Sequence, residues 1–426
     1  MSARIEKTVL PSGITVLAQP MPDRGTVSVA VWVRSGARDE PAERSGITHF
    51  VEHMMFKGTP TRDARAIAAS LESLGGRLDA FTTREQVCYE ARTLAEHLPD
   101  AIDVLADITC RSNFAEREIE REKSVVREEI LLYEDNPEDK TVEQLMTQLW
   151  GAHALGRPIL GTAESVDALD RAALRGHVDG RLAGRELVVA GAGGLALDVL
   201  VPLVERHFAP PPGGPAARDV APPAFTPSVR HEVCDLQQLY LSLGTRAIPY
   251  ADPRRYALAV LETLLGGCSS SRLYQRIREE AGLVYSIYSA LDPHRDAGAL
   301  SIHLGVSPER ARQALALLRE ELARLAQEGP DEAEVEATRR QIKGSILIAQ
   351  ESTSGRMHHM ARQEIYTGEY TPPDEQVARF LAVDRAQVAA LAAQFLAPGA
   401  FALAARGPAP GGPLTEVDWP LDHAGA

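Results

Sequence analysis

Cysteine is scarce: Cys88, Cys110, Cys234 and Cys268 are the four in 426 residues, and no two form a C-x-x-C pair. Neither a disulfide-stapled fold nor a cysteine-based metal site fits that spacing, so the thiols read as reduced and structural. Long apolar runs are missing too. None approaches the roughly eighteen residues that span a bilayer, and Met1-Ser-Ala-Arg-Ile-Glu-Lys7 lacks the apolar core of a signal peptide. The expected compartment is the cytoplasm, with no membrane partner. Basic excess is absent as well: a formal charge of −14 argues against nucleic acid as a partner, and fits either basic peptides or plain solubility.

What remains is a globular composition, 44% hydrophobic, on a chain longer than one core usually supports. Residues 7–18 read as two short strands around a Pro-Ser-Gly turn, and 27–33 alternates as a third. Residues 64–74 read as a helix stopped by Gly75-Gly76, 78–94 as strands, and 98–108 and 116–133 as helices. Strands and helices segregate rather than alternate singly. That predicts an α+β class in which each domain is a mixed or antiparallel sheet with helices on one face.

Between Phe208 and Ser228 the chain is too proline-rich for helix or central strand, so 209–228 reads as a linker between domains at 1–208 and 229–426. The two flanks follow a similar script. Leu239-Tyr-Leu-Ser-Leu-Gly-Thr-Arg246 resembles the stretch from Ala30 to Arg38, and each flank ends in a small, apolar strand, Leu187-Val-Val-Ala-Gly-Ala192 and Phe401-Ala-Leu-Ala-Ala-Arg406. A duplication is expected. The second copy has Arg255-Tyr-Ala-Leu-Ala-Val-Leu-Glu-Thr263 where the first has its histidines, so the chemistry belongs to the first copy.

That chemistry centres on His49-Phe-Val-Glu-His53. At about 100° per residue a helix carries His49, Glu52 and His53 on one face, where two imidazoles can hold a metal and a carboxylate can work on its water. The surroundings support a helix, with Ser45 as N-cap and Gly58 as stop. H-x-x-E-H is the inverted zinc-peptidase order, although lone helical histidines are more often packing or surface residues. A catalytic zinc takes three protein ligands and keeps one open position, so a third donor is required. The acid-rich 116–133 helix supplies candidates in Glu128 and Glu129. Glu122 and Glu129 stand two turns apart with Val125 and Val126 near, which turns that face inward.

The segment from His49 to Thr59, with Val125-Val-Arg-Glu-Glu-Ile130, resembles the pitrilysin family, in particular the half-size branch that contains the mitochondrial processing peptidase. The likeness spans nearly the whole chain. It implies zinc held by His49, His53 and Glu129 rather than Glu128, with Glu52 as general base and Glu122 supporting the site. It extends over Gly75 to Tyr89, which in the family is the edge strand that pairs with substrate, and so implies substrate contacts at Asp79, Ala80, Phe81 and Thr82. The family usually has Asn where this chain has Asp79, an acceptor-only group. The segment from Arg272 to Tyr285 resembles the one that brings an Arg and Tyr pair to the site, which implies Arg278 and Tyr285. By themselves these two would read as a surface Arg and a half-buried Tyr.

The expectation is a zinc endopeptidase that cleaves extended or unfolded peptides inside a chamber closed by a second, similar subunit, as a homodimer or heterodimer. Two alternatives differ in kind: a catalytically inactive partner or scaffold subunit of the same fold, and a zinc-binding structural protein. His97, His153, His358 and His359 suggest no partner and are expected at the surface.

Overall fold

The structure is a computed structural model that describes residues 5–210, 225–409 and 411–421. Most of the expected linker, 211–224, therefore lies outside the described residues. The chain forms two compact units, each a sheet with helices packed on it.

The sheet of the first unit contains β1 (Glu6–Val9), β2 (Thr15–Pro20), β3 (Thr26–Val33), β4 (Arg77–Thr82), β5 (Val87–Leu94) and β6 (Leu187–Gly193). Their order is β1-β2-β6-β3-β5-β4, with β2 and β6 parallel and the other neighbours antiparallel. In the second unit β7 (Val229–Val233), β8 (Leu239–Ala247), β9 (Val284–Pro293), β10 (Gly298–Val306) and β11 (Ala402–Gly407) run in the order β7-β11-β8-β10-β9. There β7 and β11 are parallel and the rest antiparallel. From β2 onward the two sheets match strand for strand and sense for sense, so the α+β class with two similar domains holds. In each, the hairpin after the central antiparallel pair leaves one strand at the edge: β4 and β9.

One face of the first sheet carries Val27, Val29, Val31 and Val33 into a core shared with the helices Ile47–Met55, Leu98–Arg111 and Leu197–His207. The opposite face is covered as well. Ala30, Trp32, Cys88 and Val188 meet Met357, Met360 and Ala361 of the helix Thr353–Thr367, and Ser28 Oγ lies 2.8 Å from Thr353 Oγ1. Burial on both faces is why β3 is apolar at nearly every position.

The units are accordingly not consecutive halves. The first is built from described residues within 1–130, 157–219 and 347–373, the second from those within 131–156, 220–346 and 374–426. In the second unit it is the helix Pro137–Trp150 that covers the sheet face opposite the main core, through Leu145, Met146 and Leu149 against Ala299, Ala402 and Ala404. Gly244 on β8 makes room there: a Cβ would stand 2.9 Å from Leu145 Cδ2, and the leucine would have to shift. The expected division at 208 and 229 is thus refined by an exchange: each half of the chain gives one helix to the other half's sheet. All four cysteines are free, and no helix of the described residues is long and apolar enough to cross a membrane.

Candidate metal centre

The His49–His53 pentapeptide lies on the helix Ile47–Met55, as its periodicity predicts. Ile47, Phe50, Val51, Met54 and Met55 face the core, and the remaining face carries His49, Glu52 and His53. The N-terminus is built otherwise than expected. Gly46, at φ +90°, is the N-cap, and a Cβ there would stand 2.4 Å from the Leu160 carbonyl oxygen. Ser45 is buried just outside the helix, with no hydrogen-bond partner for its hydroxyl. The capping acceptor is Glu40, six residues upstream of the cap: its Oε2 accepts the Gly46 N–H at 2.8 Å and its Oε1 the Thr48 N–H at 2.7 Å. Glu40 is buried, which pushes its carboxyl up to about 7 despite the hydrogen bonds from Thr48 and Gly46 and the charge of Arg157.

Glu129, on the helix Glu116–Asp135, meets both histidines. Its Oε1 is 3.6 Å from His49 Nε2 and its Oε2 is 3.5 Å from His53 Nε2. These distances are long for hydrogen bonds but fit a shared ion: tetrahedral bonds of about 2.0 Å separate two ligand atoms by about 3.3 Å. Among the described residues this is the group whose ligand atoms, all within 4.8 Å of one another, could hold a metal. Glu128 is exposed and outside it. Glu122, two turns back, is 1% exposed and accepts from His53 Nδ1 at 2.9 Å, while Lys57 Nζ stands 2.8 Å from its other oxygen. Val126 is buried beside it, but Val125, expected to turn inward, is 46% exposed.

The electrostatics separate the two histidines. Burial, with the neighbouring His53, lowers His49 to about 3, so this imidazole stays neutral and its lone pair is free for a metal. For His53 burial opposes protonation, but the hydrogen bond to Glu122 and the charges of Glu129 and Glu52 outweigh it and raise the group. Burial likewise raises Glu52 and Glu129, whereas Glu122, desolvated too, is pulled down by its bonds to His53 and Lys57. A partly buried site that crowds carboxylates round two imidazoles is matched by a cation.

Beside the cluster runs β4, an edge strand as expected. Leu78 and Ala80 pack toward the core that holds the His49 helix, and Thr82 donates its hydroxyl to Glu52 Oε2. Phe81 points the other way, against Trp32 and the ring of His358 at 5.9 Å. Asp79 takes a salt bridge from the exposed Arg77 and the N–H of Ala80. Arg278 and Tyr285 belong to the second unit and are brought together with each other: the guanidinium carbon is 5.6 Å from the Tyr285 ring centre, and Tyr285 is 83% exposed. Arg278 sits on a π-helical turn, Tyr274–Glu280, a wide winding frequent at functional sites.

The expectation of unpartnered surface histidines is corrected. His358 and His359 lie on the exchanged helix, where His358 Nε2 is 2.6 Å from Glu90 and His359 Nε2 is 3.0 Å from Gln363. His153 Nδ1 accepts the Leu155 N–H, and His97 lies 3.3 Å from Asp100. Three site residues escaped the sequence reading. Lys57 had a helical signal, one turn beyond His53, and Thr82 was expected to touch substrate rather than Glu52. Glu40 had none, because it caps through a loop and not through the capping-box spacing.

Known proteins carry the same architecture. The insulinase (peptidase family M16) model matches residues 15–163, and the model described as the M16 inactive domain matches 168–342, where the helix Arg255–Leu265 has no histidine. An uncharacterized zinc protease of Mycobacterium leprae is 38% identical over 404 residues, covering 93% of this chain and 90% of that protein. One of Bacillus subtilis is 36% identical over 390 residues, covering 92% and 95%. Among solved structures, an M16 inactive domain from Pseudomonas fluorescens superposes with a TM-score of 0.89 at 21% identity, over 95% of this chain and 98% of that one. A Helicobacter pylori protease does so with a TM-score of 0.86 at 19% identity, over 96% and 100%. The chain belongs to the insulinase peptidase family M16, and relatives such as those of Mycobacterium leprae and Bacillus subtilis are named zinc proteases.

Proposed function

We propose that this protein is a zinc-dependent endopeptidase acting on extended or unfolded polypeptide. The observation that carries the reading is the convergence of His49, His53 and Glu129 on a common centre, with Glu52 on the same helix face. Three donors describe an open catalytic site rather than a closed structural one. Bound there, zinc would supply Lewis acidity toward the scissile carbonyl and a lowered pKa for water. Glu52 accepts the proton of the attacking water and returns it to the leaving amine as the C–N bond breaks. Glu122 takes the His53 Nδ1–H and so holds Nε2 toward the metal. Substrate adds as a strand along β4, whose outer edge offers backbone N–H and C=O groups to any extended chain, and the side chains of Asp79, Ala80 and Phe81 flank it.

Arg278 and Tyr285 donate hydrogen bonds to the oxyanion of the tetrahedral intermediate. We assign them to the site of a second, similar subunit facing the first, so that each chamber needs two chains. The test is zinc content with cleavage of a quenched fluorescent peptide. Wild type binds zinc and cleaves, whereas Glu52→Gln binds zinc and loses about 100- to 10,000-fold in kcat. Zinc binding without cleavage by wild type would favour an inactive partner subunit instead.

A further inference from the structure

The hydroxyl that holds Glu52 comes from the strand along which substrate is proposed to add. Thr82 ends β4, paired with Val87 of β5, and its β-branched side chain has few rotamers. From that fixed position it donates to Glu52 Oε2. A hydroxyl has one proton, so it can hold only one carboxylate oxygen and leaves the other to accept from water.

The second unit contains a related link without the histidines. Its helix reads Leu261-Glu-Thr-Leu-Leu265 where the metal helix reads Val51-Glu-His-Met-Met55. There too the edge strand reaches back, from the register position that Ala80 holds in the first unit: Ser289 of β9, paired with Ile302, lies 2.9 Å from Glu262 Oε1 and 3.0 Å from the Glu262 carbonyl oxygen. A carboxylate-to-hydroxyl link between helix and edge strand thus occurs in both units, including the one whose helix has no histidine pair. In the first unit that link ends on the residue with the chemistry.

We propose that Thr82 is a positioning residue for Glu52, tying the orientation of the base to the edge strand that takes up substrate. The inference rests on the peptidase reading, and its test separates the two. In Thr82→Val, which keeps the shape and strand preference, kcat falls about 10- to 100-fold, the range open to a lost hydrogen bond to a charged group. KM and zinc stoichiometry stay at wild-type values, Thr82→Ser restores most of kcat, and a crystal structure of Thr82→Val shows the Glu52 carboxylate turned from its place. A raised KM with kcat intact would make Thr82 a substrate contact and overturn the proposal. So would an unmoved carboxylate with unchanged turnover. If Thr82→Val fails to fold, Thr82→Ser and Thr82→Ala decide, since equal kcat in these two also overturns it. Absence of cleavage by zinc-loaded wild type would instead sink the peptidase reading, while the position of the Glu52 carboxylate in the variant would still report on the link.

Discussion

Glu40 makes the stability of the first unit depend on pH in a way that one substitution should abolish. Its carboxyl is raised by burial from 4.5 to about 7. The native state therefore holds a proton that the unfolded chain has released throughout that window, and stability falls as pH rises from about 4.5 to about 7. At about 1.4 kcal/mol per pH unit, the loss is about 3 kcal/mol, or about 6–12 °C in Tm for a folding unit of this size. Glu40→Gln removes the titration. It keeps the neutral group with one carbonyl acceptor that protonated Glu40 presents to the N–H groups of Gly46 and Thr48, so little is lost at pH 5. Thermal unfolding of both proteins from pH 5 to 8, with metal chelated, should show them close at pH 5 and the wild type falling below the variant toward pH 8. The other titrating groups are common to both proteins and cancel in the difference. Parallel curves would refute the assignment of a raised carboxyl to Glu40.

Exchanging Glu129 for Gln should lower zinc occupancy measured by mass spectrometry, and exchanging Glu128 should not; the reverse would swap their roles. Met357→Ala should destabilise the first unit by about 2–5 kcal/mol in urea unfolding, since the side chain is fully buried against β3 and β6, and an unchanged midpoint would contradict the exchanged helix. Mixing inactive Glu52→Gln with inactive Tyr285→Phe under subunit exchange should restore cleavage, because a mixed dimer would combine an intact Glu52 with an intact Tyr285. Mixed dimers without activity would place the donors within one chain. A compact folded domain cleaved as fast as its unfolded form would contradict substrate uptake by strand addition at β4.

Helix periodicity and strand alternation are properties of neighbouring residues. For that reason the Ile47–Met55 helix, the strand character of β4, the duplication and the shared face of Glu122 and Glu129 were legible in the chain itself, while the edge position of β4 came from the family likeness. Choosing Glu129 over Glu128 needed the family likeness before the structure, because two adjacent glutamates differ only in how the helix is rotated against its neighbours. The exchange of the helices Pro137–Trp150 and Thr353–Thr367 carried no local signal: an apolar helix face shows that it must be buried, but not against which sheet. Glu40 and Thr82 were hidden for a related reason. Their partners, Thr48 and Glu52, are reached through loops and a sheet edge, and a hydrogen bond formed that way depends on where burial brings two segments together. Spacing along the chain names the chemistry of His49, Glu52 and His53, while the groups that aim and fasten them are set by packing between segments that the local pattern does not connect.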